Sequence, residues 1–201
     1  MSSGQPDIRR LIFTYRSYSP IPFLIVMIWF ARPTPLSIVL GIVFVVVGEL
    51  IRFWGVSIAG SETRTTGKVG GTYLITNGPF AYVRNPLYVG NMLMYAGIGI
   101  MSLALFPWLL IGAATWFYIQ YYLIVTQEEE YLVERFGEDY LHYKANVGRF
   151  FPTSKRYAAP NPPHKSMSAS EGIASERRTL QAIGLVTLLV IAKYVYLRLQ
   201  V

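Results

Sequence analysis

The chain has 201 residues and a formal net charge of +7, and 53% of its residues are hydrophobic whereas only 14% are charged. Soluble domains carry about 25% charged residues, so this composition is typical of a membrane protein and argues against an ordinary soluble enzyme. The chain has no cysteine and two histidines, which excludes disulfides, a cysteine nucleophile and Cys- or His-rich metal centres, and we expect no metal site.

Five apolar segments are candidates for transmembrane helices, because a helix needs about 20 mostly apolar residues to cross the hydrocarbon core. The first is short and contains Pro20 and Pro22, and we favour a retained helix over a cleaved signal peptide there. The sequence therefore predicts an all-α integral membrane fold, with residues 1–201 forming a single domain. The predicted spans are residues 17–31, 36–60, 87–106, 108–127 and 179–197.

The distribution of lysine and arginine predicts the orientation of these helices. With the N-terminus in the cytoplasm, most of the 18 basic residues fall in cytoplasmic segments. Residues 61–86 and 128–152 then share the cytoplasmic side, and we expect a catalytic segment between the fourth and fifth helices. Residues 153–175, rich in proline and serine, are predicted to be a linker. The basic residues flank apolar runs, which favours membrane lipids and argues against nucleic acid as partners.

Small and charged residues inside the second and third spans predict how these helices pack. Glycines at seven-residue spacing share one helical face, and small residues let membrane helices approach closely. Glu49 and Arg52 are three residues apart, so they can pair on one side of the second span. A structural ion pair and a role near a functional site both stay open for these two residues. The spaced glycines are Gly41, Gly48 and Gly55 in the second span and Gly90 and Gly97 in the third.

Polar residues stand at the start of the third span and at the end of the fourth. Pro86 suits a first helical turn and Asn85 is a favourable N-cap, but a helix start beside Arg84 also attracts an anion. Three glutamates, residues 128–130, follow the fourth span and open a predicted helix over residues 128–143. Such a run is usually a solvated face, although one carboxylate can face a polar cleft. Because the turn between these spans is short, we predict that both groups meet at one interface.

Two motifs contain these polar residues. They are Gly78-Pro79-Phe80-x-Tyr82-x-Arg84-Asn85-Pro86-x-Tyr88-x-Gly90 and Glu128-Glu129-x-x-Leu132-x-x-x-Phe136-Gly137-x-x-Tyr140-x-x-Tyr143, the latter followed by Val147-x-Arg149-Phe150-x-Pro152. Together they resemble the isoprenylcysteine carboxyl methyltransferase family, part of a wider group of integral-membrane methyltransferases that includes phospholipid N-methyltransferases. The resemblance covers about residues 65–152. The family commonly has histidine where this chain has Asn85, and asparagine does not titrate near neutral pH.

The resemblance implies methyl transfer from S-adenosylmethionine to a lipophilic acceptor that enters from the bilayer, at the cytoplasmic face. It favours O-methylation of an isoprenylcysteine-type carboxylate or a related lipid. The acceptor, the choice between O- and N-methylation, the oligomeric state and the role of the last helix stay open. One alternative is an NADPH-dependent reductase of the steroid 5-alpha-reductase-like type, although those enzymes usually have glutamate where this chain has Asn91. A non-enzymatic membrane scaffold is the other alternative.

The resemblance also implies roles for individual residues. The donor's carboxylate would bind at Arg84 and the helix start at Asn85, Pro86, Leu87 and Tyr88. Its amino group or ribose hydroxyls would bind Glu129 or, alternatively, Glu128. The sulfonium would contact Tyr82 and Tyr88, and the pocket would be closed by Tyr140, Tyr143 and Arg149. The residues expected to be catalytic are Arg84, Asn85, Tyr88 and Arg149.

Overall fold

The structure, a computed structural model, describes residues 8–60, 73–159 and 167–200, with the side chains of residues 8–10 excepted. Predictions for residues 61–72 and 160–166, which belong to the first cytoplasmic segment and the linker, lie outside the described residues. Helices and their connections make up the described ranges, apart from one isolated bridge between Val83 and Gly148. The helices are α1 (Ile8–Tyr15), α2 (Pro20–Trp29), α3 (Pro35–Ala59), α4 (Pro86–Ser102), α5 (Trp108–Phe136), α6 (Glu138–Asn146) and α7 (Ala169–Leu199), with a 3₁₀ turn at Gly78–Ala81.

Three of these helices, α3, α5 and α7, are long and apolar enough to cross a membrane. Helix α4 has 17 residues, which corresponds to about 25 Å at 1.5 Å per residue. Helix α2 has 10 residues, about half of the length that a membrane crossing requires. The described residues therefore confirm an all-helical chain with apolar helices suited to a membrane, and the number of five spans stays a prediction.

Helices α3 and α4 approach each other closely along their glycines, as the spacing predicts. A Cβ atom at Gly41 would lie 2.5 Å from the carbonyl oxygen of Gly97. A Cβ atom at Gly48 would lie 2.6 Å from the carbonyl oxygen of Gly90. Both distances are shorter than any Cβ can tolerate, so only glycine allows this contact. The predicted packing role of these residues is confirmed.

The helix that leaves the fourth predicted span is broken. Helix α5 continues to Phe136, and Gly137 then adopts a positive φ of 53°, a conformation that side-chain-bearing residues rarely adopt. Helix α6 starts directly after it. The uninterrupted helix expected over residues 128–143 is therefore wrong, because this glycine redirects the chain and brings α6 back towards the start of α4.

The last helix begins at Ala169, inside the segment that the sequence analysis assigned to a linker. Its first turn is capped by Ser168, whose hydroxyl accepts a hydrogen bond of 3.4 Å from the backbone N–H of Glu171. Helix α7 therefore begins about ten residues before the apolar span predicted over residues 179–197. The additional turns carry polar residues, and some of these reach the site described below.

The segment after α6 is held against the 3₁₀ turn and the start of α4 by backbone hydrogen bonds. The N–H of Arg84 donates to the Gly148 carbonyl at 2.9 Å, and the N–H of Thr153 donates to the Tyr82 carbonyl at 2.8 Å. The N–H of Tyr157 also donates to a carbonyl in this turn, that of Ala81, at 2.9 Å. These bonds fix the two motif regions beside each other.

Candidate functional site

A cavity of about 400 Å³ lies where the starts of α4 and α6, the glutamates of α5 and the first turns of α7 meet. This volume is within the range of small-molecule sites, about 300–1,000 Å³. The described residues that line it do not include Tyr82 or Arg149, which were expected there. The expected donor-binding residues that do line it are Arg84, Asn85, Pro86, Leu87, Tyr88, Glu128, Glu129, Tyr140 and Tyr143.

At one end of the cavity, three cations surround Glu129, and we call these four residues the Glu129 cluster. Arg84 Nη2 lies 2.8 Å from Oε1, whereas Arg149 Nη2 and Lys144 Nζ lie 2.5 Å and 3.3 Å from Oε2. Glu129 is only 3% exposed, so it does not belong to a solvated acidic face. Three cations around one carboxylate give the cluster a net positive charge, and Arg84 and Glu129 are the members that line the cavity.

The guanidinium of Arg84 joins α5 to the end of α6. Its Nε donates to Glu129 Oε1 at 3.1 Å. Its Nη1 donates to the carbonyl of Lys144 at 2.9 Å and also to the carbonyl of Val147. A planar fork with several fixed donors is required for this set of contacts. Arg84 is therefore engaged by protein acceptors on two elements as well as facing the cavity.

Glu128 differs from its neighbour because none of the described cations lies within ion-pair distance of it. The hydroxyl of Tyr88 donates to Glu128 Oε1 at 2.7 Å. The ring of Tyr88 stacks on that of Tyr121, with 4.7 Å between the ring centroids. Tyr88 is thereby fixed at the wall of the cavity. Of the two glutamates, Glu128 is the one that lines the cavity without an ion pair among the described residues.

Asn85 and Arg149, which belong to the two different motif regions, are joined by a hydrogen bond. Asn85 makes no side-chain capping bond at the start of α4, contrary to the expectation from its position. Its Nδ2 instead donates to the Arg149 carbonyl at 3.1 Å. Arg149 Nη1 donates to Thr126 Oγ1 at 3.2 Å, and its guanidinium lies 4.7 Å from the Tyr122 ring centroid. Arg149 thus contacts Glu129 without lining the cavity itself.

Two tyrosines of α6 complete this wall. Tyr140 and Tyr143 are buried, and burial raises the pKa of both hydroxyls above their ordinary value. Both side chains therefore stay neutral at physiological pH and can donate hydrogen bonds. The hydroxyl of Tyr143 donates to the Phe80 carbonyl at 2.7 Å, which ties α6 to the 3₁₀ turn.

A second ionic contact on the cavity wall was not predicted. Arg52 is spaced to pair with Glu49, one of the two alternatives left open, but its Nη2 lies 2.7 Å from Glu176 Oε2 on α7. Glu49 Oε2 has no hydrogen-bond partner among the described residues. The alternative of an ion pair within α3 is not borne out, because spacing within one helix says nothing about a partner 124 residues away. Arg52 lines the cavity, in line with the other alternative, a position near the site. One signal was present in the sequence, since Ser168 and Glu171 form an S-x-x-E helix start that places Glu176 on a helix.

Comparison with known proteins identifies a family that the chain matches and several related proteins. The phospholipid methyltransferase family matches residues 36–139, which include α3, α4 and α5. The cobalt-zinc-cadmium resistance protein CzcN of Cupriavidus metallidurans is 30% identical over 125 residues, 62% of this chain and 53% of that protein.

Two further relatives are named protein-S-isoprenylcysteine O-methyltransferase. That of Xenopus laevis is 33% identical over 123 residues, which is 58% of this chain and 41% of the relative. That of Schizosaccharomyces pombe is 36% identical over 80 residues, 39% of this chain and 33% of the relative. The chain thus spans about half or less of the length of the curated relatives that it matches. These relatives do not favour the reductase alternative.

Proposed function

Because the chain belongs to the phospholipid methyltransferase family, we propose that it transfers a methyl group from S-adenosylmethionine to a lipophilic acceptor at the membrane. The observation that carries the proposal is the cavity in which the start of α4 meets Glu128 and Glu129 of α5. The names of two relatives favour a prenylated cysteine carboxylate as the acceptor and O-methylation as the reaction. The excess of basic residues near the site favours the cytoplasmic face.

The charges around the cavity fit the amino-acid end of S-adenosylmethionine. The excess positive charge of the Glu129 cluster suits a carboxylate, and the start of α4 adds backbone N–H groups with a positive dipole end. Glu128 suits the ammonium group, because its own contact is with the hydroxyl of Tyr88 rather than with a cation. We therefore assign the ammonium to Glu128 in preference to Glu129, whose carboxylate is occupied by Arg84, Arg149 and Lys144.

When bound, S-adenosylmethionine supplies the activated methyl group. The protein's own residues then contribute alignment and exclusion of water. The ring of Tyr88, fixed by Tyr121 and Glu128, offers a π face to a cationic sulfur at the start of α4. A carboxylate acceptor is ionised at neutral pH and needs no general base. Asn85 in place of the usual histidine is therefore compatible with O-methylation.

Equilibrium binding to the detergent-purified protein tests this proposal. We expect S-adenosylmethionine and S-adenosylhomocysteine to bind and NADPH not to bind. The protein should also methylate N-acetyl-S-farnesylcysteine, a small lipophilic carboxylate, in detergent micelles. Binding of NADPH without binding of the other two ligands would favour the reductase alternative over the methyltransferase. Failure of all three ligands to bind would favour the non-enzymatic scaffold.

A further inference from the structure

An ion pair joins α3 to α7 at the cavity wall, and we call it the Arg52–Glu176 pair. Arg52 Nη2 lies 2.8 Å from Oε1 and 2.7 Å from Oε2, and Nε lies 3.1 Å from Oε2. Glu176 is 1% exposed. Charges buried between apolar helices are expensive, and they mark functional sites more often than they provide net stability. The pair therefore calls for an explanation beyond helix packing.

Arg52 also connects this pair to the wall that carries Tyr88. Its Nη1 donates to Asn91 Oδ1 at 2.7 Å. Asn91 follows Tyr88 by three residues on α4, so the two side chains share a helical face. These three residues and Glu176 line the same cavity. The cavity thus continues from the Glu128–Tyr88 contact along α4 to the Arg52–Glu176 pair.

Helix α7 is fixed against α3 at this point. The backbone N–H of Ser168 donates to the Ser57 carbonyl at 2.9 Å. A Cβ atom at Gly172 would overlap the Ser57 hydroxyl, so the two helices touch closely here. Ser175 and Glu176, on the next turn, line the cavity. Helix α7 lies outside the segment that the family matches, and it nevertheless forms a wall of the site.

We propose that Arg52 binds the polar head of the methyl acceptor and that Glu176 is the residue that positions Arg52 for this task. Glu176 accepts from the Nε and Nη2 donors of Arg52, and Asn91 accepts one Nη1 donor, so one N–H of Nη1 remains for a ligand. Because Glu176 neutralises Arg52, this donor orients a ligand more than it attracts one. The donor's charged groups are instead served by the Glu129 cluster and Glu128. This inference rests on the proposed function and adds acceptor recognition by a helix outside the matched segment.

Two variants test the assignment, with S-adenosylhomocysteine as the donor-site probe and N-acetyl-S-farnesylcysteine as the acceptor probe. The double variant Arg52→Met/Glu176→Met replaces the pair by apolar residues, an exchange that often leaves stability unchanged or raises it. Glu176→Gln keeps the shape of the side chain and removes its charge. Glu171→Gln, on the exposed first turn of the same helix, is the matched control. Thermal unfolding, donor Kd and acceptor KM and kcat are measured for each.

We expect the double variant to unfold near the wild-type temperature and to bind S-adenosylhomocysteine within about twofold of wild type, while its acceptor KM rises about tenfold or more. Glu176→Gln should raise the acceptor KM with kcat within about threefold, and Glu171→Gln should change neither. A wild-type KM in the folded double variant would overturn the proposal. If the double variant does not fold, an unchanged KM in Glu176→Gln overturns it instead. Wild-type protein that binds S-adenosylhomocysteine but does not methylate the acceptor probe would contradict the proposed acceptor class. Wild-type protein that binds neither S-adenosylmethionine nor S-adenosylhomocysteine would contradict the proposed methyltransferase function.

Discussion

The Glu129 cluster and the Arg52–Glu176 pair use the same chemistry on two walls of one cavity. Both contain arginine–glutamate contacts shorter than 3 Å, and both glutamates are nearly inaccessible to solvent. They differ in charge balance, because the cluster gathers three cations around one carboxylate whereas the pair is matched one to one. The comparison indicates that charge surplus, rather than the contact itself, decides whether such a group attracts an anionic ligand or mainly orients a ligand that has already entered the cavity.

The largest effect is expected from Glu129→Leu, because it leaves three cations without their common partner. We expect the free energy of unfolding to fall by about 3–5 kcal/mol, as for other buried charges that lose their counterion. Thermal unfolding in detergent, followed by tryptophan fluorescence, measures this loss. Glu134→Leu, at an exposed position on the same helix, should have little effect. A Glu129→Leu protein as stable as wild type would mean that the cluster is not the structural centre described above.

A smaller effect is expected from Glu128→Gln, which removes the carboxylate assigned to the donor's ammonium. The amide can still accept the hydrogen bond from Tyr88, so the fold should be preserved. Affinity for S-adenosylmethionine should fall by about 1.5–3 kcal/mol, roughly 10- to 100-fold. Isothermal titration of the detergent-purified protein measures the change, with Glu130→Gln at the exposed neighbouring position as the control. Equal affinity in Glu128→Gln and wild type would remove Glu128 from the donor site.

Arg84→Lys separates the charge of the cluster from its geometry. Lysine retains the positive charge, but it cannot reach Glu129 and the carbonyls of Lys144 and Val147 at the same time. We expect normal expression and a reduction of donor affinity of about tenfold, equivalent to about 1.4 kcal/mol. The same titration measures it. Wild-type affinity would show that positive charge alone is sufficient at this position.

The smallest effect is expected from Lys144→Gln, because the Lys144 side chain is 40% exposed and solvent screens its ion pair with Glu129. The loss of stability should be below about 1 kcal/mol. Thermal unfolding and donor titration measure both consequences, and Lys155→Gln, at an exposed position outside the cluster, provides the control. A tenfold loss of donor affinity would instead mean that Lys144 contacts the donor directly.

Features set by local spacing could be predicted from the sequence. The seven-residue repeat of glycines predicted the contact between α3 and α4, and the Arg84-Asn85-Pro86 motif predicted the start of α4. The two motif regions were expected to meet because their helices are joined by a short turn. The cavity brings residues from both together.

Features set by tertiary contacts were not predictable in the same way. For the acidic run after the fourth span, a solvated face and a carboxylate in a polar cleft were both open, and the three cations from other segments that surround Glu129 could not be predicted. Likewise, the nearest candidate partner for Arg52 was Glu49, because the partner on α7 is separated by 124 residues. In both cases the sequence indicated that a buried charge needs a counterion, and only the fold determines which residue supplies it.

The glycine contact between α3 and α4 has a consequence for how a lipid-soluble molecule reaches the cavity. Where Gly41 and Gly48 meet Gly97 and Gly90, main-chain carbonyl oxygens lie directly against the glycines, and a rotamer change cannot move main chain aside. We therefore expect this seam to stay shut during turnover. An acceptor from the membrane would then have to enter between other helices. Bulky substitutions at those other helix boundaries should slow its entry, while α3 and α4 stay in contact.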